Sequence, residues 1–275
     1  MNLSAKNSGK YTLYEVVSEY RAVVEVNDND LLPLLSCPKC KSDLEETAAG
    51  LMCRGCGRVY AVRRGIPSFM IEECLASSNR LQRILYTLYA PFYDTFEEKF
   101  ARSVWTVKFT ERELREAVVS SMDIKPGDTV LEVSVGTGGN IPFFMKYTDG
   151  MIIGLDITER MLDICREKIE RFGWRNVRLV QGCAEHLPFK DAVFDRVLIG
   201  GGINYFSSPK RALEEMARVV KPGSKAVVYE QITALDRMLG KTRLNEEWIP
   251  RQLEIVKFIH LFEGKFYLYV FEKKV

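Results

Sequence analysis

The chain has 275 residues, 47% hydrophobic and 28% charged, enough to bury a full core and to leave room for one large domain and a small one. This composition excludes global disorder, and 39 basic against 37 acidic residues exclude a domain-wide basic footprint for nucleic acid. No stretch approaches the roughly 20 apolar residues of a membrane span, and residues 1–10 are polar without an apolar signal core, so no transmembrane segment and a cytoplasmic location are expected.

Residues 1–30 fit neither the helical nor the strand period and form an N-terminal segment of unclear structure. Residues 31–72 are punctuated by Gly and Cys and bounded by Pro33 and Pro67, the pattern of a small loop-rich module. Residues 75–122 read as a helical linker. Leu81, Ile84, Leu85 and Leu88 keep a helical spacing behind a Ser/Asn cap signal, Pro91 ends or kinks that helix, and 96–122 reads as one long amphipathic helix.

From 123 to 275 short β-rich runs alternate with helical patterns. Strands are expected near 129–134, 151–156, 177–181, 194–200 and 225–230, with helices over 138–147, 158–172 and 208–220. The alternation implies an α/β fold, a doubly wound, mostly parallel sheet with helices on both faces. Residues 253–262 and 266–272 read as two further strands joined through Gly264, a hairpin that brings the sheet to seven strands with an antiparallel edge.

Seven cysteines are an odd number and do not read as a disulfide framework: Cys74, Cys165 and Cys183 stand alone, and four others form two Cys-x-x-Cys pairs. Cys37 and Cys40 are followed, after twelve residues, by Cys53 and Cys56. Four thiolates at this spacing suit a structural, tetrahedral zinc ion, whose bonds supply folding energy that so small a module cannot draw from its core. A redox pair would want a following helix in a βαβ unit, and none is expected there. Arg54, Arg58, Arg63 and Arg64 form a local basic cluster, yet residues 1–75 carry nine basic against ten acidic side chains, which is poor support for RNA.

In an open parallel sheet, ligands bind outside the carboxyl ends of the strands where strand order reverses. The first strand ends in a glycine-rich loop at Gly136, Gly138 and Gly139, where the backbone can turn sharply and approach a ligand. The second strand ends at Asp156, whose carboxylate can accept both hydroxyls of a ribose or can cap the helix that begins at Thr158.

These residues carry a family resemblance. Val-Leu-Glu-Val-Ser-Val-Gly-Thr-Gly-Gly at 130–139, Gly-Leu-Asp-Ile-Thr-x-x-Met-Leu at 154–162, Gln-Gly-Cys-Ala-Glu-His-Leu-Pro-Phe at 181–189, Phe-Asp-Arg-Val at 194–197 and Ala-Leu-Glu-Glu-Met-Ala-Arg-Val-Val-Lys-Pro-Gly at 212–223 resemble class I S-adenosylmethionine-dependent methyltransferases of the ubiquinone/menaquinone-biosynthesis type. The resemblance implies a Rossmann-like fold and S-adenosyl-L-methionine as cofactor. By resemblance, Glu132 with Gly136, Thr137 and Gly138 holds the methionine part, and Asp156 with Ile157 holds the ribose. Cys183, Ala184 and Glu185 bracket the adenine; position 183 is usually an acid in the family, and Glu185 is its substitute here. Ser134 stands where the family usually has the first glycine.

Gly200 and the run to Phe206 should line the pocket beside the reacting sulfur, with Asn204 and Tyr205 as catalytic-pocket residues or as packing. The Pro-Phe-Tyr-Asp-Thr block at 91–95 resembles a family segment that forms a lid, so Tyr93 either closes the site or packs between helices. Asp195 reads as structural, and His186 as part of the cofactor wall rather than a base. The cysteine module resembles the zinc ribbons that precede some ribosomal-RNA guanine methyltransferases and some quinone-type methyltransferases. The expected acceptor is a small or lipophilic, quinone- or lipid-like molecule. Two alternatives stand beside it: an RNA-base methyltransferase that clamps its substrate with the ribbon, and a cofactor-binding module that meets a protein partner through the ribbon.

Overall fold

The computed structural model describes residues 28–75 and 110–275. The expected helix over 81–88 and the lid residue Tyr93 lie outside them.

The ribbon opens on a 3-10 turn, Asp28–Leu34. Strands β1 (Leu44–Thr47) and β2 (Gly50–Cys53) make an antiparallel hairpin, to which β3 (Val59–Tyr60) adds a third strand. A small ladder follows, β4 (Val62–Arg63) with β5 (Ile66–Pro67), and a further 3-10 turn, Glu72–Leu75, closes the module. Helix α1 is Glu111–Ser121. It does not continue a long helix from 96: Thr110 is extended (φ −103°, ψ 151°) and closes a reciprocal capping box with Glu113, which fixes a helix start at that point.

The large domain then runs β6 (Val130–Val133), α2 (Ile141–Phe144), β7 (Ile152–Asp156), α3 (Glu159–Phe172), β8 (Val177–Gln181), β9 (Phe194–Gly200), α4 (Pro209–Val219), β10 (Val220–Gln231), α5 (Ala234–Met238), β11 (Leu253–Leu261) and β12 (Phe266–Lys273). The sheet order is β11-β12-β10-β9-β6-β7-β8, with β6 to β10 parallel and β12 and β11 antiparallel. This is the expected seven-stranded, doubly wound, mostly parallel sheet. All residues of β6 and β7 are buried, as befits strands covered on both faces. One helix and one strand differ from the sequence reading. The expected 138–147 helix shrinks to α2, because the glycine turn occupies its first residues; and β10 begins at Val220, five residues early, with a register irregularity before Lys225.

Helices α1, α2 and α3 cover one face, where Val118, Ile141 and Leu162 pack with Val130, Ile152 and Val177. Helix α4 covers part of the other. The connection from β8 to β9 carries only one 3-10 turn, Ala184–His186, and the ribbon takes the remaining area: Leu35, Tyr60 and Phe69 join one core with Leu131, Ile153 and Val180. The ribbon and the large domain also pair through their backbones. The Phe69 amide donates to the Gln181 carbonyl at 2.8 Å, and Leu35 bridges antiparallel to Phe189.

One expectation is overturned. Cys74, at the ribbon's exit, is disulfide-bonded to Cys183, just past β8, across 109 residues of sequence. Spacing could not reveal a pair that only the fold brings together. Cys74→Ser should therefore lower stability by about 2–4 kcal/mol, read as a lower urea midpoint under non-reducing conditions; an unchanged midpoint would show that the covalent tie adds nothing to the packing.

Candidate active site

A cleft opens at the carboxyl ends of β6, β7 and β9. The sheet order reverses around β6, so the loops leaving its two sides diverge and leave a crevice. Gly136, Asp156, Ile157, Cys183, Ala184, Glu185 and Gly200 all line it. Thr137, Gly138 and Glu132 do not line it and are packed beneath the loop: Thr137 and Glu132 are buried, and a Cβ on Gly138 would fall 2.6 Å from the Cys165 sulfur. Sequence reasoning had not singled out Met161, which also lines the cleft with Ser134 and Phe206.

The loop is held by the acid at the tip of β7. Asp156 accepts from the Gly136 amide at 2.9 Å through one oxygen and from the Thr158 amide at 2.8 Å through the other. Thr158 makes no side-chain cap of its own, so Asp156 caps α3 in its place while it faces the cleft. Burial raises its pKa, opposed by these amide bonds. Glu132 is 2% exposed; one oxygen accepts from Asn140 Nδ2 at 2.5 Å, and the other is buried with no partner among the described residues. Burial pushes its carboxyl up to about 8, against the pull of Asn140 and of the Arg115 charge. Arg115 donates to Asn140 Oδ1 at 3.0 Å and lies where a Cβ on Gly139 would stand, so α1 reaches the glycine loop through a guanidinium. Neither Arg115 nor Asn140 carries a motif that marks it.

Cys183 cannot serve as an adenine acceptor thiol, since its sulfur is bonded to Cys74. Glu185 is buried in the wall, and one oxygen takes the Ser208 amide at 3.3 Å at the head of α4. His186 is half-buried outside the cleft lining, its pKa lowered by burial and by Arg211 and Lys41. Asp195 ties strands together, accepting from the Thr129 amide at 2.9 Å and from Lys221 at 2.7 Å.

Beside the cleft, Asn204 belongs to a polar cluster that the sequence did not announce. Its amide donates to Glu230 at 3.3 Å, its Oδ1 accepts from the Tyr267 hydroxyl at 3.3 Å, and its Nδ2 is buried without a partner among the described residues. Glu230, 3% exposed, also accepts from the Gln231 amide at 2.9 Å, and burial pushes its carboxyl up to about 7. Tyr205 sits in the same 3-10 turn, Ile203–Tyr205.

In the ribbon the four sulfurs of Cys37, Cys40, Cys53 and Cys56 lie within 4.8 Å of one another. Metal–sulfur bonds of about 2.3 Å in a tetrahedron imply sulfur separations of about 3.8 Å, and Cys37 to Cys56 measures 3.8 Å and Cys40 to Cys53 3.4 Å. The Tyr60 hydroxyl lies 3.0 Å from the Cys37 sulfur, and the Cys56 amide donates to the Cys53 sulfur at 3.4 Å, both supports for a thiolate ligand. Three of the four ribbon arginines are engaged by carboxylates: Arg54 by Glu45, Arg63 by Glu159 and Arg64 by Asp163.

The model of the ubiE/COQ5 methyltransferase family matches residues 95–242, and that of Trm112p-like proteins matches residues 28–65. The chain belongs to the ubiE/COQ5 methyltransferase family. Among curated relatives of this family, a demethylmenaquinone methyltransferase of Bacillus cereus (strain ATCC 10987 / NRS 248) is 37% identical over 128 residues, 46% of this chain and 53% of that protein. One of Bacillus anthracis (strain A0248) is 38% identical over the same length and shares. The chain thus spans about half the length of the curated relatives it matches. Two solved structures share the fold. The [4+2]-cyclase SpnF superposes with a TM-score of 0.58 at 17% identity, covering 72% of this chain and 97% of its own. A chain from a complex between the Haloferax volcanii Trm112 methyltransferase activator and a candidate methyltransferase gives 0.55 at 16%, covering 70% and 97%.

Ser134 holds a left-handed backbone, φ +64°, at the family's glycine position. Ser134→Gly should raise stability by about 1 kcal/mol by removing that strain, seen as a higher melting temperature; a drop would mean that the serine hydroxyl, and not the backbone, governs the position.

Proposed function

We propose that the chain transfers the methyl group of S-adenosyl-L-methionine to a lipophilic, quinone-like acceptor. The single observation that carries the cofactor assignment is the buried Glu132 oxygen beneath the glycine loop, an acceptor with no partner among the described residues. An amino-acid ammonium group is a donor suited to that oxygen. Asp156 and Ile157 are assigned to the ribose, Gly136, Thr137 and Gly138 to the methionine end, and Ala184 and Glu185, with the backbone at Cys183, to the adenine. The lipophilic acceptor is supported by the names of the Bacillus relatives, which are demethylmenaquinone methyltransferases.

When bound, S-adenosyl-L-methionine supplies an electrophilic methyl group for in-line displacement. The chain's own work is to position and to exclude water. Phe206 and Met161 give the cleft apolar walls, and Gly200 keeps the floor open beside Glu132, whose carboxylate lies 3.2 Å from where a Cβ would stand. Asn204 and Tyr205, with Tyr93, are assigned to the acceptor. Asn204 is held by Glu230 and Tyr267, and its unpartnered Nδ2 can donate to an acceptor oxygen.

The ribbon is assigned a structural zinc ion at Cys37, Cys40, Cys53 and Cys56. The Haloferax complex pairs a Trm112 methyltransferase activator with a separate chain; here the Trm112p-like module lies in the same chain and packs on β8, which supports a built-in brace for the cofactor wall. The pairing of Arg54, Arg63 and Arg64 with carboxylates favours this over an RNA clamp.

Two outcomes test these assignments. Cation binding favours the ionised Glu132, whose carboxyl is held near 8, so affinity for S-adenosylhomocysteine should rise with pH below about 8, by at most about tenfold per unit, and level off above it. Calorimetry should show proton release, and Glu132→Gln should weaken binding and flatten the profile; no binding by the wild type at millimolar ligand would sink the reading. Chelation of zinc, or Cys53→Ser, should melt the ribbon and weaken S-adenosylhomocysteine binding several-fold; a cleft that binds equally well without metal would make the ribbon an independent appendage.

A further inference from the structure

The rim of the acceptor side carries an apolar patch that the active-site geometry does not use. Helix α5 follows directly from β10, one residue pair after Glu230 and Gln231, and its first turn is fixed by a capping box in which Thr233 and Asp236 exchange bonds. Asp236, the helix's acid, is thereby turned inward and is 7% exposed. Leu235, Met238 and Leu239 stand at i, i+3 and i+4, one helix face, and are 59%, 79% and 56% exposed. A soluble surface has no use for three large aliphatic side chains on a single turn.

Cations frame the patch. Arg237 and Lys241 are exposed, Arg237 anchored by donating to the Gly264 carbonyl, and Arg243 is exposed and meets Glu246 only in a loose 3.7 Å pair. Glu246, Glu247 and Glu263 are the neighbouring acids, on the 3-10 turn Glu246–Trp248 and on the β11–β12 turn, and none belongs to α5. An aliphatic face with Arg237 on its own helix, and with Lys241 and Arg243 exposed in the segment that follows, complements an anionic lipid surface: the side chains enter the headgroup boundary while the cations meet phosphates.

We propose that α5 and the segment to Arg243 form a docking surface for anionic phospholipid membranes, placing the acceptor side of the site against the bilayer. The proposal rests on the lipophilic-acceptor reading for its purpose, since a membrane-dissolved acceptor then reaches the cleft without crossing water. Its geometry stands apart from that reading. With one helical turn as the apolar element, binding is weak and reversible, and charge contributes much of it.

The test is sedimentation of the full chain with vesicles of phosphatidylcholine, with and without phosphatidylglycerol. The protein should pellet with the phosphatidylglycerol vesicles, less so with phosphatidylcholine alone, and should be released by salt. Lys241→Gln should weaken binding about fivefold, and the triple variant Leu235→Ser, Met238→Ser, Leu239→Ser should remain in the supernatant while still binding S-adenosylhomocysteine. If the triple variant misfolds, Met238→Ser alone, at the most exposed position, should weaken binding several-fold. Wild-type protein that stays in the supernatant with both vesicles overturns the proposal. So does a triple variant that pellets like the wild type, or a concentration-dependent dimer lost in the triple variant without vesicle binding. Failure of S-adenosylhomocysteine to bind, with vesicle binding intact, would strike the methyl-transfer reading and leave the docking surface standing.

Discussion

Ten residues, 181–190, hold the two parts of the molecule in one structure. They leave β8, form one wall of the cleft, and have almost no ladder of their own. The ribbon supplies the missing partners: Phe69 donates to the Gln181 carbonyl, Ser36 to Pro188 at 2.9 Å, and Lys41 to Leu187 at 3.0 Å, while Lys190 donates its amide to Leu34 at 2.9 Å. Buried backbone groups left without partners each cost on the order of 1–3 kcal/mol, so this wall is stable in its present shape only with the ribbon in place. The Lys41 ammonium, whose pKa burial lowers, also meets Glu215 of α4 at 2.7 Å and is thus matched by a buried acid. The disulfide from Cys74 to Cys183 closes the same seam. The Trm112p-like module and the cleft wall therefore share one set of backbone bonds.

Buried acids gather in and around the cleft of a protein of nearly balanced charge. Glu132, Asp156 and Glu230 all sit at the carboxyl ends of parallel strands, and burial raises the pKa of each. The three are satisfied to different degrees. Asp156 and Glu230 spend both oxygens on backbone amides, so they shape loops; Glu132 keeps one oxygen without a partner among the described residues, which is why the ligand ammonium is assigned to it. This difference separates positioning from binding within a single row of strand ends.

The sheet was legible because short β-rich runs alternate with helical patterns; 177–181 and 194–200 match β8 and β9 residue for residue. Element ends were legible where a cap is local, as at Ser208 before α4, whose side chain accepts from the Arg211 amide at 3.3 Å. What escaped depends on contacts distant in sequence. Cys74 and Cys183 meet only through the ribbon's docking, Arg115 reaches the glycine loop across 25 residues to Asn140, and Glu230 acquires meaning only from Asn204 and Tyr267. Thr110 is the opposite case: its capping box with Glu113 was written in the sequence, but a longer amphipathic pattern masked it.

The antiparallel hairpin bears on the acceptor side more than its edge position implies. Pairing of β10 with β12 sets Glu230 directly opposite Tyr267, and a slip of one residue would turn the tyrosine to the other face of the sheet. The Tyr267 ring is fully buried, edge to face with Tyr269 at 5.9 Å, so its hydroxyl can reach Asn204 but cannot swing away. The groups assigned to the cofactor thus lie on the parallel half of the sheet, and Asn204, assigned to the acceptor, is fixed where the parallel half meets the antiparallel half. The SpnF cyclase shares this architecture, and a fold shared across different chemistries leaves specificity to such grafted contacts. In this chain the register of a single strand pair decides which face the Tyr267 hydroxyl presents to the site.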